Sequence, residues 1–159
     1  MRISFDLDGV ITNSEKWFFT IINVMKLLKG NEDLLNSMEI LYYSTRSVKY
    51  NPYLFLSPED QGYIITARKP ISFTSTEHWL QGNGINLPII YIDQHDTIDW
   101  TNYAEASYIS ATRKADEITR VGIEVHFDNN PYIVRKLRTL LPPLSKVILI
   151  GGEPCLNSM

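Results

Sequence analysis

The stretch Ile3-Ser4-Phe5-Asp6-Leu7-Asp8-Gly9-Val10 decides how this chain is read. An apolar run passes directly into two carboxylates two residues apart, and a glycine follows. In an open α/β sheet the ligand crevice lies outside the carboxyl ends of the strands, which is where Asp6 and Asp8 project. Glycine lets the backbone turn sharply and come close to a ligand. Ordinary Asp and Gly usage places an Asp-x-Asp-Gly string in about 3% of chains this long. The string therefore needs support from the rest of the sequence. A calcium-loop register over residues 4–15 is a rival, with Asp6, Asp8, Gly9, Ile11 and Glu15 on its positions. Against it, Ser4 stands at the first ligand place, and the register expects an incoming helix where only three residues precede it.

Working outward, Arg2–Phe5, Tyr63–Thr66, Leu87–Ile92 and Val147–Ile150 read as buried strands, being short runs of Ile, Val and aromatics. A fifth, Ile123–Phe127, alternates apolar and polar residues. Between them lie helical patterns. Ser14–Lys29 carries Trp17, Phe18, Ile21, Ile22, Met25 and Leu28, with Asn13 or Ser14 as cap. Thr76–Gln81 ends at Gly82, and Lys114–Val121 stops at Gly122. The segment 130–140 opens with Asn130 as cap and Pro131 in its first turn. Strands separated by helices imply a parallel sheet in a layered α/β domain, here one domain over 1–159. Two segments interrupt the alternation. Residues 12–58 form a mostly helical insertion, broken by Asn51-Pro52 and Ser57-Pro58. Residues 94–113 form a polar, aromatic stretch with Trp100, Tyr103 and Tyr108.

Composition narrows the class. The 159 residues are 44% hydrophobic and 21% charged, which excludes a disordered or fibrous chain. No run reaches the roughly 18 apolar residues of a membrane span. The carboxylates of the first strand predict that no signal peptide opens the chain. The single cysteine, Cys155, predicts no internal disulfide. A net charge of -3 argues against a stable nucleic-acid partner. A cytoplasmic protein without membrane attachment is the expectation.

The remaining chemistry-bearing residues fall in a revealing order. Thr66, in Ile64-Ile65-Thr66-Ala67-Arg68, places a hydroxyl at the end of the second strand. Lys114 is expected to open the helix after the third strand, with Arg113 a competitor for its role. Asp128, in His126-Phe127-Asp128-Asn129-Asn130-Pro131, ends the next strand. All would converge on one edge of the sheet.

In these pieces the sequence resembles the haloacid-dehalogenase-like (HAD) phosphohydrolase superfamily over nearly its whole length. Phe5-Asp6-Leu7-Asp8-Gly9-Val10 matches the first motif, Thr66 the second, Lys114 the third and Asp128 the fourth. The resemblance implies a Rossmann-like three-layer sandwich with strand order 5-4-1-2-3 and a small helical cap, residues 12–58, inserted after the first strand. It implies a nucleophile at Asp6, a general acid/base at Asp8, and phosphate binding by Thr66, Ala67 and Lys114. Mg²⁺ would be held by Asp6, the Asp8 carbonyl and Asp128. A dianionic phosphate ester repels nucleophiles, so such a site must neutralise charge before attack. Many relatives have a second acid after the fourth-motif Asp; here Asn129 stands there, expected to orient Asp128 or a metal-bound water.

The compact cap looks most like that of 5'-nucleotidases and deoxyribonucleotidases. The expected substrate is a small phosphate ester, foremost a nucleoside or deoxynucleoside 5'-monophosphate, and the expected state a monomer or homodimer. A phosphatase for sugar phosphates or nucleic-acid 3'-phosphate ends, or a silent metal-dependent binding module, are the alternatives. His78, His95 and His126 lack metal-ligand spacing and read as structural or solvent-facing. Arg68 reads equally as a phosphate contact or a surface residue. The Trp17, Phe18 and Phe19 cluster and Tyr42, Tyr43, Tyr50 and Tyr53 read as insertion core or as a stacking platform.

Overall fold

The structure is a computed structural model, and it describes residues 1–13, 20–21, 23–24, 26–28 and 30–151. Five strands form the sheet: β1 (Arg2–Asp6), β2 (Gln61–Thr66), β3 (Ile89–Tyr91), β4 (Val125–Asp128) and β5 (Lys146–Leu149). Their order is β3-β2-β1-β4-β5 and every pairing is parallel. This is the expected 5-4-1-2-3 read from the other edge. The helices are α1 (Glu32–Ser44), α2 (Phe73–Gly82), α3 (Tyr103–Val121) and α4 (Pro131–Leu140), with short 3₁₀ turns at Pro52–Phe55 and Pro70–Ser72.

Strand alternation explains the layers. Ile64 and Ile65 are neighbours on β2 and so face opposite sides of the sheet. Ile65 packs in a core with Ala111, Ala115 and Ile118 of α3 and Ile133, Val134 and Leu137 of α4. Ile64 joins Ile3 and Phe5 in a second core with Trp79 and Leu80 of α2. Burying each of these large side chains contributes about 1.5–3 kcal/mol. The sheet thus lies between two apolar layers.

The caps act as the sequence predicts at α4, where the Asn130 side chain accepts from the N–H groups of Tyr132 and Ile133 and Pro131 fills the first turn. Gly122 ends α3 in the left-handed conformation, φ 73°. At its other end α3 corrects the sequence reading, since it begins at Tyr103, well before Lys114. The second insertion shrinks to a loop. The reason is packing: Ala106, Ser107, Ser110, Ala111, Lys114, Ala115 and Ile118 are buried at three- and four-residue spacing. Small polar residues let that face approach the sheet closely while disguising it as a polar stretch.

In the first insertion, α1 supplies the expected helical character. The helix expected over Ser14–Lys29 is described only in part: the described residues among positions 20–27 are helical, and Leu28 is in a turn. The Trp17, Phe18 and Phe19 cluster and Cys155 lie outside the described residues. Two backbone bonds join the insertion's ends, Asn13 N–H to Ser47 O at 3.0 Å and Lys49 N–H to Ile11 O at 2.7 Å.

Candidate active site

β1 sits where the order reverses, with β2 on one side and β4 on the other. Such a switch point opens a crevice at the carboxyl ends of the strands. Phe5 pairs with Phe127 across β1 and β4, and their rings stack at 5.2 Å on one face. The next residues, Asp6 and Asp128, therefore turn to the other face, which α3 covers. There the Lys114 ammonium donates to Asp6 Oδ1 at 2.6 Å and to Asp128 Oδ2 at 2.5 Å. Lys114 lies in the middle of α3 and is 1% exposed. It reaches the acids because its helix face is pressed on the sheet, and not because it starts a helix.

The charges in this trio shape one another. Burial pushes the Asp6 carboxyl up to about 7; Lys114 pulls against this, while Asp128 and Asp8 add to it. Burial also works against the Asp128 anion, yet the Lys114 ammonium outweighs it and holds the acid well below its usual range. Burial disfavours the Lys114 cation, but Asp128 and Asp6 raise it above the ordinary lysine range. The other oxygen of Asp128 accepts the Asn130 N–H at 2.8 Å. His126 is buried beneath the trio, its Nδ1 sharing a 2.8 Å hydrogen bond with Ser4 Oγ. Its Nε2 stands 3.5 Å from Asp128 Oδ2, long for a hydrogen bond, and burial pushes the ring toward neutrality. His126 is structural, while His78 and His95 are exposed.

Asp8 sits in the turn after β1. Ile11 and Thr12 both donate their N–H groups to Leu7 O, and Gly9 donates to Thr12 O. Gly9 has φ +92°, and a Cβ there would fall 2.1 Å from the Asn129 amide nitrogen. Asn129 thus packs directly on the Asp8-Gly9 turn. The Asp8 carboxylate turns toward Arg68, which grips it with Nε to Oδ2 at 2.9 Å and Nη2 to Oδ1 at 2.7 Å. Thr12 Oγ1 donates to Oδ1 at 3.3 Å. The calcium-loop register fails here, because Ser4 lies inside β1 with its hydroxyl on His126.

Thr66 ends β2 as expected, and its hydroxyl accepts the Arg68 N–H at 3.3 Å. Ala67 follows, partly buried against the core. Arg113 is no rival to Lys114: it binds Asp93 at 2.9 Å and Thr97 Oγ1 at 2.6 Å on the loop after β3. Sequence reasoning overlooked Asp93, whose carboxylate also accepts from the N–H groups of Thr97 and Ile98 and so fixes that loop. It also left Arg68 open; its place two residues past a strand-end hydroxyl was the available signal.

Among the described residues, no helix is long and apolar enough to cross a membrane. No group of three or more His, Cys, Asp or Glu side chains there could hold a metal ion. No protein-family model matches the chain, and neither does any curated protein. Among solved structures, the chain is similar to the HAD domain of effector protein Lem4 from Legionella pneumophila. The two share 13% sequence identity over 99% of this chain and 88% of that one, with a TM-score of 0.50. The fold is HAD-like. At that identity the likeness speaks for the architecture alone, and the HAD-like fold carries Asp6, Asp8, Thr66 and Asp128 at or just past the ends of β1, β2 and β4.

Proposed function

We propose that the protein is a Mg²⁺-dependent phosphomonoesterase working through an aspartyl-phosphate. The observation that carries this reading is the Lys114 ammonium shared by Asp6 and Asp128 at the switch point of the sheet. With both acids ionised the trio holds one surplus negative charge, and Asp8 is matched by Arg68. A dianionic ester meets repulsion there unless a cation is added. Two carboxylates fit Mg²⁺, which takes one or two such ligands and keeps several waters, better than a metal needing an all-protein cage. Asp6, Asp128 and the Asp8 carbonyl would hold it. When bound, Mg²⁺ supplies charge neutralisation and Lewis-acid polarisation of the phosphoryl group.

The chain's own residues then divide the work. Asp6 attacks phosphorus while the bond to the leaving oxygen breaks, and Asp8, entering this step with a proton taken up from solvent, gives that proton to the leaving oxygen. Asp8 next takes a proton from water as it attacks the aspartyl-phosphate, releasing inorganic phosphate and restoring Asp6. Thr66 and Lys114, with the Ala67 backbone, hold phosphoryl oxygens, and Asn129 orients the Asp8-Gly9 turn. Residues 12–58 act as a small cap within the single domain 1–159, excluding water and choosing the leaving group. Its less buried aromatic residues Tyr50 and Tyr53 support a nucleoside or deoxynucleoside 5'-monophosphate as substrate, hydrolysed in the cytoplasm by a monomer or homodimer, while Tyr42 and Tyr43 pack inward.

The test is phosphate release from ribo- and deoxynucleoside monophosphates, sugar phosphates and an aryl phosphate, each with Mg²⁺ and with chelator. Mg²⁺-dependent release favouring one nucleotide is the expected result. Release from the aryl ester alone keeps the mechanism and rejects the nucleotide. Silence on all of them in a folded, Mg²⁺-binding protein overturns the enzyme reading.

A further inference from the structure

Arg68 heads the largest fully buried side chains and is only 2% exposed. A buried guanidinium needs partners on every side, and three different parts of the chain provide them. Asp8, in the β1 turn, takes the fork of Nε and Nη2. Thr76, on α2, accepts from Nη1 at 2.9 Å and itself donates to Ser72 O. The ring of Tyr43, on α1, covers the planar face, 4.0 Å from the guanidinium carbon to the ring centre. Separate contacts fasten α1 and the residues after it to the core: Glu39 lies 3.6 Å from the Lys69 ammonium, and Trp79 Nε1 donates to Arg46 O at 2.7 Å.

A planar fork fixes the plane of the carboxylate it grips, which a flexible single-point donor does not. An arginine that binds phosphate must turn N–H groups to the ligand. Here three of the five N–H groups are committed, Nε and Nη2 to Asp8 and Nη1 to Thr76, and the face is roofed by an aromatic ring. We propose that Arg68 is a positioning residue that fixes the Asp8 carboxylate for proton transfer to the leaving group, and that Tyr43 holds Arg68 in place. The docking of α1 is then read out at Asp8. This rests on the phosphatase reading above and goes beyond it, because it gives the insertion a role in the chemistry as well as in substrate choice.

The experiment compares wild type with Asp8→Asn, Arg68→Met, Arg68→Lys, Tyr43→Leu, Tyr43→Phe and the Asp8→Asn/Arg68→Met double variant. Each is assayed with Mg²⁺ on an aryl phosphate with a good leaving group and an alkyl phosphate with a poor one. Arg68→Met is expected to lose roughly 100-fold in kcat on the alkyl ester, the scale of general acid catalysis, and far less on the aryl ester. KM should stay within about twofold, since ground-state binding is untouched. The loss should nearly vanish when Asp8 is already Asn. Arg68→Lys should recover part of the activity, Tyr43→Leu should show the same leaving-group pattern more weakly, and Tyr43→Phe, which keeps the ring over Arg68, should lose less than Tyr43→Leu. Equal losses on both esters, with a raised KM and weaker inhibition by inorganic phosphate, would make Arg68 a phosphate ligand and overturn the proposal. So would losses that simply multiply with Asp8→Asn. If Arg68→Met does not fold, Arg68→Lys and Tyr43→Leu carry the same comparison. If wild type releases no phosphate from any ester, the phosphatase reading has failed, and with it the catalytic use of the grip. The grip itself is then judged by urea unfolding of the Asp8/Arg68 double-mutant cycle, where a cycle closing to zero removes it too.

Discussion

Asp6 and Asp8 are the same residue type two positions apart, yet they live in opposite electrostatic settings. Asp6 ends a strand, points to the α3 face, and shares one buried ammonium with a second acid. Asp8 lies in the following turn, points toward β2, and owns a guanidinium outright, with a quarter of its side chain exposed. One centre is short of positive charge and the other is balanced. The lesson is that a shortage marks where a cation and a phosphate can enter, while a matched pair marks a group whose orientation matters. Each half can be broken separately.

The largest expected effect is on the Asp6 side. Asp6→Asn should abolish phosphate release, by roughly 10⁴-fold or more as for the loss of other catalytic nucleophiles, while the protein stays folded by circular dichroism. Activity near wild type removes Asp6 as nucleophile. Next comes Lys114→Met, which leaves two buried acids without their shared cation. Breaking a buried pair in this way costs about 3–5 kcal/mol, read from urea unfolding. A change below about 1 kcal/mol means that the acids find other partners, and the trio is then not a unit.

The pH dependence of stability sharpens the contrast inside that trio. The unfolded Asp6 carboxyl titrates near 3.9, and the folded one is raised to about 7. Between these values the folded state holds the extra proton, so Asp6's contribution is full below the unfolded pKa and is lost as pH rises to about 7. Asp128 is depressed, so its contribution is present above the unfolded pKa and is lost only as pH falls through its low folded value. In chelator, stability between pH 4 and 7 should therefore slope downward by up to roughly 1.4 kcal/mol per pH unit, and Asp6→Asn should flatten the slope. A profile unchanged by Asp6→Asn would show that Asp6 is not the group held protonated.

Two smaller effects test the turn and the neighbouring residues. Gly9→Ala should destabilise by about 1–3 kcal/mol, because φ +92° strains an alanine and its Cβ collides with Asn129. The same variant should lower turnover by disturbing Asp8, and unchanged turnover would separate the turn from the chemistry. Arg113→Ala should leave turnover intact and destabilise by about 1 kcal/mol, since Arg113 only fastens the loop after β3. A large loss of turnover would return Arg113 to the site as a rival of Lys114.

Local rules made much of this legible. The apolar run into Asp6-Leu7-Asp8-Gly9, the hydroxyl after Ile64-Ile65 and the carboxylate after His126-Phe127 are strand-end signals, and a strand end needs no knowledge of its neighbours. The caps at Asn130, Pro131 and Gly122 are local for the same reason, as they satisfy the backbone of their own helix. Sequence order plus the resemblance also carried the parallel sheet and its order. The start of α3 escaped, because Ser107 and Ser110 look polar until the sheet that buries them is in place. Arg68, Tyr43 and Asp93 escaped for a related reason. A charged or aromatic side chain reads as surface or core according to what packs over it, and α1, α2 and the β1 turn reach Arg68 from three distant stretches of chain. The sequence determined which residues stand at the strand ends; only the tertiary structure decided which cation each acid receives, since ion pairing is a property of distances across the fold.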